Sequence, residues 1–317
     1  MTKRIKIIIN PIAGSGKAEK FVEHLKNALT SRQIESDVKF TSQYGDAQEI
    51  ANKHTEDTPI LCLGGDGTFN EIINGLITNR HFTENNRPII GLIPFGSGNV
   101  IAKELQLKRN IRHFIGLYQN NLYRQLDIGC VRFIQENKKR YFISMAGIGF
   151  DAEVARQYQL DRNGAKLQAH LFSYFPITIK TIFRYKMPRI TIQIEGKIVS
   201  RNASFVQVAN VRSYGGPFVL VNNAIFDDGF LDVVWFKGKS PLNIIRYYSL
   251  AFLGCTNIVH DMKQKKTKEV VLSLSDDEAS SVRKVPIQVD GDWCGYLPIQ
   301  IEIIPKGIRV YTPLESR

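Results

Sequence analysis

Three times in its first hundred residues the chain runs a short apolar stretch straight into a glycine-rich turn. IKIII (5–9) leads into NPIAGSGK, PILCL (59–63) into GGDGT, and PIIGLIPF (88–95) into GSGN. Runs of this length, each followed by a helical pattern, are the signature of successive βα units and a parallel sheet. After the first turn Ala18, Phe21, Val22, Leu25, Ala28 and Leu29 recur at helical spacing, so a helix is expected from Lys17. After the second, Thr68 and Glu71 form a T-x-x-E capping box, expected to open a helix whose inner face carries Ile72, Ile73 and Leu76. A short helix is expected near VIAKEL after the third.

From about residue 126 the texture changes. RYFISMAG, RITIQIEGKIVS, ASFVQVANV, LDVVWF, KEVVLSLS, VPIQVDGD and PIQIEIIP are alternating or β-branched and bounded by turn residues, which favours antiparallel strands. Residues 151–186 between them read as helical, and KQKKTK (263–268) as a solvated loop. At 317 residues two domains are expected, an α/β domain and then a mostly β domain.

Composition narrows the function classes. No run approaches the ~18 apolar residues of a membrane span, and the basic start MTKRIKIIIN lacks the long apolar core of a signal peptide. Cys62, Cys130, Cys255 and Cys294 stand far apart with no C-x-x-C pair, so neither zinc nor a disulfide framework is expected, and the thiols read as reduced in a cytosolic protein. The net charge of +12 favours a polyanionic neighbour: nucleic acid, an anionic membrane or a phosphorylated substrate. No basic–aromatic motif of a nucleic-acid-binding module is present, and nucleic acid is set aside.

The first turn is a near miss to a Walker loop. Gly16-Lys17 is there, but Ala18 replaces the Mg²⁺-binding hydroxyl and Pro11 takes the place of the first glycine. Turns that end parallel strands meet at the carboxyl edge of the sheet, where ligands bind and helix N-termini offer N–H groups to anions. Three such turns on one edge point to a phosphate site. In GGDGT the glycines allow close backbone approach to a ligand, and Asp66 between them could orient Mg²⁺ or a ribose hydroxyl.

LGGDGTFNEIINGL resembles the nucleotide loop of the diacylglycerol kinase and sphingosine kinase superfamily, distantly related to NAD kinases and phosphofructokinases. NPIAGSGKA is similar to that family's first loop and PFGSGNVIAKEL to its third. AGIGFDAEV (146–154), ANVRSYGGPF (209–218), NAIFDDGFLDVVWF (223–236) and VPIQVDGD (285–292) follow in family order, and the series as a whole resembles the bacterial lipid kinases.

The resemblance implies a three-layer α/β domain over 1–125, joined by 306–317 returning to it, and a C-terminal β-sandwich over 126–305 that receives the lipid. ATP would lie in the cleft between them. It implies a nucleotide site lined by Asn10, Pro11, Gly14, Thr41, Gly64, Gly65, Asp66, Gly67, Thr68, Asn70 and Ser97. Asp66 would be the partner of the catalytic Mg²⁺. In the family's DGE motif the glutamate is the base; this chain reads Asp290-Gly291-Asp292, so Asp292 is the expected base and Asp290 the alternate. A second, structural magnesium would be held by Asp228 and by the carbonyls of Ile225 and Phe230. The diacylglycerol kinases read GTxND in the third loop, whereas this chain has Ser97-Gly98-Asn99-Val100, closer to sphingosine and ceramide kinases.

The expected partner is a membrane lipid, met at an anionic surface on the inner face of the membrane by a cytoplasmic protein. HLFSYFPITIKTIFRYKMPR (170–189) mixes Phe172, Tyr174, Phe175, Phe183 and Tyr185 with Lys180, Arg184, Lys186 and Arg189, a composition suited to that interface or to a helix packed on the sandwich. Two alternatives stand beside the lipid kinase: a kinase with a soluble acceptor such as NAD, and a catalytically weakened nucleotide- or lipid-binding regulator.

Overall fold

The structure is a computed structural model and describes residues 3–83, 86–162, 175–214, 218–238, 240–256, 259, 261–275 and 284–314. Two compact units divide the chain, Met1–Leu126 with Lys306–Arg317, and Asp127–Pro305.

The first unit begins with β1 (Lys3–Ile9), α1 (Lys17–Thr30), β2 (Ile34–Phe40), α2 (Asp46–Asn52), β3 (Ile60–Gly64), α3 (Asp66–Thr78), β4 (Ile90–Pro94), α4 (Val100–Glu104) and α5 (Ile111–Gln119). β1 pairs in parallel with β2 and β3, and β3 with β4. Every residue of β3 and β4 is buried, as parallel strands covered on both faces require. The edge strand β2, IESDVKF, is fully buried only at Ile34 and carries no apolar run.

The second unit is built from β5 (Tyr123–Phe133), which starts in the first unit, then β6 (Lys138–Phe142), β7 (Met145–Ile148), α6 (Phe150–Arg162), α7 (Phe175–Arg184), β8 (Ile190–Ile194), β9 (Lys197–Ala203) and β10 (Phe205–Ala209). There follow β11 (Ser213–Tyr214), β12 (Phe218–Val219), β13 (Leu231–Phe236), α8 (Pro241–Phe252), β14 (Met262–Thr267), β15 (Glu269–Leu274), β16 (Pro286–Val289), β17 (Asp292–Tyr296) and β18 (Ile299–Tyr311).

One sheet of this unit has the order β14-β13-β10-β7-β16-β17. Facing it are β9, β8, β15 and the first half of β18, with the β5–β6 hairpin. Ile190, Ile192, Ile194, Val270 and Leu272 from one sheet pack against Val206, Val208, Val233, Ile287 and Val289 from the other, which makes a β-sandwich. The alternate residues of β10 and β13, Phe205, Ala209, Val234 and Phe236, turn outward and are covered by Tyr247 and Ala251 of α8.

Past Pro305, β18 belongs to the first unit. Val310 pairs in parallel with Ile90 of β4, and Ile308, Val310 and Tyr311 are buried. Arg87 donates to the Gly307 carbonyl at 2.7 Å, and Thr312 donates its N–H to Leu122 and its hydroxyl to Leu105.

Several expected elements differ. RYFISMAG is two strands, broken at Ile143 and Ser144. KQKKTK lies mostly in the edge strand β14, paired with β13, and not in a loop. Within the helical region 151–186, α6 and α7 are seen, while residues 163–174, with Phe172 and Tyr174, lie outside the described residues. The capping box does not form. α3 starts at Asp66 behind an extended Gly65, so Thr68 and Glu71 sit inside it. The Glu71 carboxylate instead accepts the Gly45 and Ala47 N–H groups at the start of α2, at 3.1 and 3.2 Å.

Candidate active site

The three glycine turns of the first unit meet at the carboxyl edge of its parallel sheet. Asn10 donates its N–H to the Leu63 carbonyl at 3.0 Å, and Phe95 donates to that of Gly64 at 2.8 Å, which ties the first and third turns to the end of β3. The second and third turns touch back to back: a Cβ on Gly65 would lie 2.8 Å from the Gly96 Cα, too close for any side chain there. The Asn10 amide reaches the Thr68 hydroxyl at 3.5 Å. Thr41, buried, follows β2 on the same edge and donates its N–H to Ile9 at 2.9 Å.

The first turn is folded on itself. Gly14, Ser15 and Gly16 all have positive φ (62, 60 and 81°), and the N–H groups of Ala13, Gly16 and Ala18 bond to carbonyls at 10, 12 and 13. The first-turn amides of α3 offer more to an anion, since they have no partner within the helix, and Gly67 is exposed with open space where a Cβ would stand. Ser97 is exposed on the third turn, whereas Asn70 is buried, its Oδ1 accepting from the Asn74 amide at 3.0 Å.

Asp66 has a structural task as well. Its Oδ2 accepts the Val100 N–H at 3.0 Å and its Oδ1 that of Ile101 at 3.1 Å, so it caps α4. Burial raises its pKa, and these two amides oppose the rise. The Asn99 backbone also contributes, and with three amides against about four lone-pair sites the carboxylate still fits a Mg²⁺ ion met through water and held chiefly by nucleotide phosphates. Among the described residues no cluster of three or more His, Cys, Asp or Glu side chains could by itself hold a metal. Arg109, which no motif singles out, lies with its guanidinium 4.7 Å from the Phe95 ring and donates to the Pro94 carbonyl at 2.7 Å. Only its position one loop after the third turn could have drawn notice.

In the second unit Asp290 and Gly291 form the two-residue turn between β16 and β17, both with positive φ (48 and 93°) and with Val289 paired to Asp292. That is the backbone of a type I′ hairpin, which Asp-Gly favours. The Asp290 carboxylate accepts the N–H groups of Ile143, Ser144 and Met145 at 3.0, 2.9 and 2.9 Å, which produces the break between β6 and β7. Asp292, the first residue of β17, has its side chain 42% exposed and its Oδ2 3.9 Å from the Arg140 guanidinium.

The turn has a hidden support. Gln288 accepts the Gly291 N–H through Oε1 at 2.7 Å and donates through Nε2 to Asp151 at 3.1 Å. Asp151 belongs to AGIGFDAEV, a motif whose pattern marks the family without assigning this residue a task.

The remaining candidates fall on the DDG turn and on the outer helices. Asp228 is met by Lys266 Nζ at 2.5 Å and by the Phe230 N–H at 3.0 Å. On α7, Phe175, Ile179 and Phe183 form one exposed stripe (66, 41 and 69% exposed), beside exposed Lys180 and Arg184. On α8, Leu242, Ile245 and Phe252 form another. The inner faces of both helices meet around Phe150, Ile182 and Ile244.

An α/β unit with three glycine turns at its strand ends, followed by a β-sandwich, is the architecture of the lipid kinases that the motif series resembles. The diacylglycerol kinase catalytic domain family matches residues 4–131, and the YegS C-terminal NAD kinase beta sandwich-like domain matches 144–312. The chain belongs to the bacterial lipid kinase family that these two domains define. A diacylglycerol kinase of Bacillus subtilis (strain 168) is 28% identical over 99% of this chain and 98% of its own. One from Staphylococcus carnosus (strain TM300) is 26% identical over 100% of this chain and 97% of its own. A solved structure of a diacylglycerol kinase from Bacillus anthracis str. Sterne shares the fold, with a TM-score of 0.68 at 18% identity, covering 98% of this chain and 97% of that one.

Proposed function

We propose that the protein is an ATP- and Mg²⁺-dependent kinase that phosphorylates the hydroxyl of a membrane lipid, diacylglycerol-like or a sphingoid base. The observation that carries this is the convergence of three glycine turns, with Gly65 against Gly96, in a chain of a lipid kinase family. Asn10, Pro11, Gly14, Thr41, Gly64, Gly65, Gly67, Thr68, Asn70 and Ser97 form the nucleotide site, the α3 N-terminus facing the phosphates. When bound, Mg²⁺ supplies charge neutralisation on the transferred phosphoryl group, and Asp66 orients it. The relatives' names favour a diacylglycerol-like acceptor, while Ser97-Gly98-Asn99-Val100 keeps a sphingoid base in view.

Asp292 is the base that takes the proton of the lipid hydroxyl. Asp290 is the weaker candidate, because its carboxylate already accepts three backbone amides. The protein meets its substrate peripherally, at the anionic inner face of the membrane, through the apolar and basic face of α7.

The test is phosphate transfer from γ-labelled ATP with Mg²⁺ to mixed micelles carrying diacylglycerol, sphingosine, ceramide, monoacylglycerol or phosphatidylglycerol in turn. Label is expected in one lipid, and Asp292→Ala is expected to lower the rate about 10²–10⁴-fold, the usual worth of a general base. With NAD offered in a parallel assay, label in NAD but in no lipid would replace the acceptor. Nucleotide binding without any transfer would make the chain a regulator.

A further inference from the structure

The DDG turn is where the family resemblance implied a structural magnesium, on Asp228 and the carbonyls of Ile225 and Phe230. The residues present do not fit one. Asp228 Oδ2 lies 2.5 Å from Lys266 Nζ, and Oδ1 accepts the Phe230 N–H at 3.0 Å. Magnesium takes oxygen ligands at about 2.0–2.1 Å in an octahedral shell, and a divalent ion that close to this carboxylate would be repelled by the ammonium group already on it.

The ammonium is placed by the fold. Lys266 lies on β14 directly opposite Asp232 on β13, and the side chains of Lys266 and Asp228 are 37% and 23% exposed. Lys266 donates to Asp228, and a lysine ammonium carries its charge throughout the physiological range. Carboxylates crowd the turn from its other sides. Buried Asp127 accepts the Gly229 N–H at 2.6 Å. Buried Asp232 accepts from Gln264 at 2.8 Å. A second cation, Lys268, stands 5.5 Å from the Phe230 ring. Three carboxylates around one turn would repel one another without a positive charge among them.

We propose that Lys266 is the built-in counter-cation of the DDG turn, standing in for a divalent metal, so that the second unit is stable without magnesium. The proposal does not depend on the acceptor lipid or on Asp292.

The test is thermal unfolding of the full chain without nucleotide, in EDTA and in millimolar MgCl₂, for the wild type and for Lys266→Met, Lys266→Arg and Asp228→Asn. The wild type is expected to melt at the same temperature in both buffers. Lys266→Met is expected to melt lower in EDTA by about 2–4 °C and to recover with magnesium, because the uncompensated carboxylates then recruit it. Lys266→Arg is expected to stay close to the wild type. A wild-type gain with magnesium that vanishes in Asp228→Asn would show a metal in the turn despite Lys266 and overturn the proposal. So would Lys266→Met melting like the wild type in EDTA, or failing to recover with magnesium. Should Lys266→Met not fold, Mn²⁺ binding by electron paramagnetic resonance decides between the two: equal binding by the wild type and Asp228→Asn supports the proposal, and one extra ion on the wild type overturns it.

Discussion

Asp151 lies at the start of α6, only 3% exposed, over a glycine that has no alternative: a Cβ on Gly147 would fall 1.9 Å from its Oδ2. Burial pushes its pKa up to about 6, against the opposing pull of Gln288, Ala152 and Gln207. A raised pKa means that the folded state holds the proton more tightly than the unfolded one. The stability this contributes is therefore complete below the ordinary aspartate value and is lost as pH rises through about 6. In urea titrations from about pH 4 to pH 7, the wild type is expected to lose an increment of stability that Asp151→Asn does not lose. Parallel curves for the two proteins would sink this reading.

Between elements, α2 and α3 cross at close range. Gly75 makes it feasible, because a Cβ there would lie 2.3 Å from the Gln48 carbonyl oxygen and 2.8 Å from the Ala51 Cβ. Gly75→Ala removes a poor helix former but forces the helices apart, and overpacking of this kind costs about 1–3 kcal/mol. A lower urea midpoint with an unchanged m-value is the expected result; a midpoint equal to or above the wild type would show that the crossing yields freely. The same pair of helices shows where local pattern misleads. T-x-x-E is a sound capping signal, yet Gly65 lets α3 begin at once after β3, and Glu71 is left to cap α2. Strands buried on both faces, such as β3 and β4, are legible from their apolar runs, as is the helix from Lys17. The edge strands β2 and β14 are not, since an exposed strand needs no apolar residue and KQKKTK has the composition of a solvated loop. Nor is the break inside RYFISMAG, which depends on a carboxylate 145–147 residues further along the chain. Of the candidate site, the glycine turns are visible because only glycine tolerates the contact at Gly65, whereas Gln288 and Asp151 act through side-chain contacts that no spacing reports.

Across the whole molecule, the net charge of +12 is complemented by two outer helices, α7 and α8, that contain no acidic residue. Adsorption to an anionic bilayer through such faces combines apolar insertion with a Coulombic attraction that salt screens over about 10 Å at 0.1 M. Cosedimentation with phosphatidylglycerol vesicles is expected to fall as salt is raised, and Phe183→Ser with Leu242→Ser to weaken it at every salt concentration. Equal binding to neutral vesicles would remove the electrostatic part of this prediction. The return of β18 to the first unit bears on how such a molecule is made. Ile308, Val310 and Tyr311 are part of the first unit's core, and Val310 pairs with β4. On the ribosome, then, the unit that is started first is finished last: β4 waits with an unpaired edge while the entire sandwich is synthesised, so a nascent chain halted anywhere before Lys306 exposes a strand edge of the kind that invites aggregation.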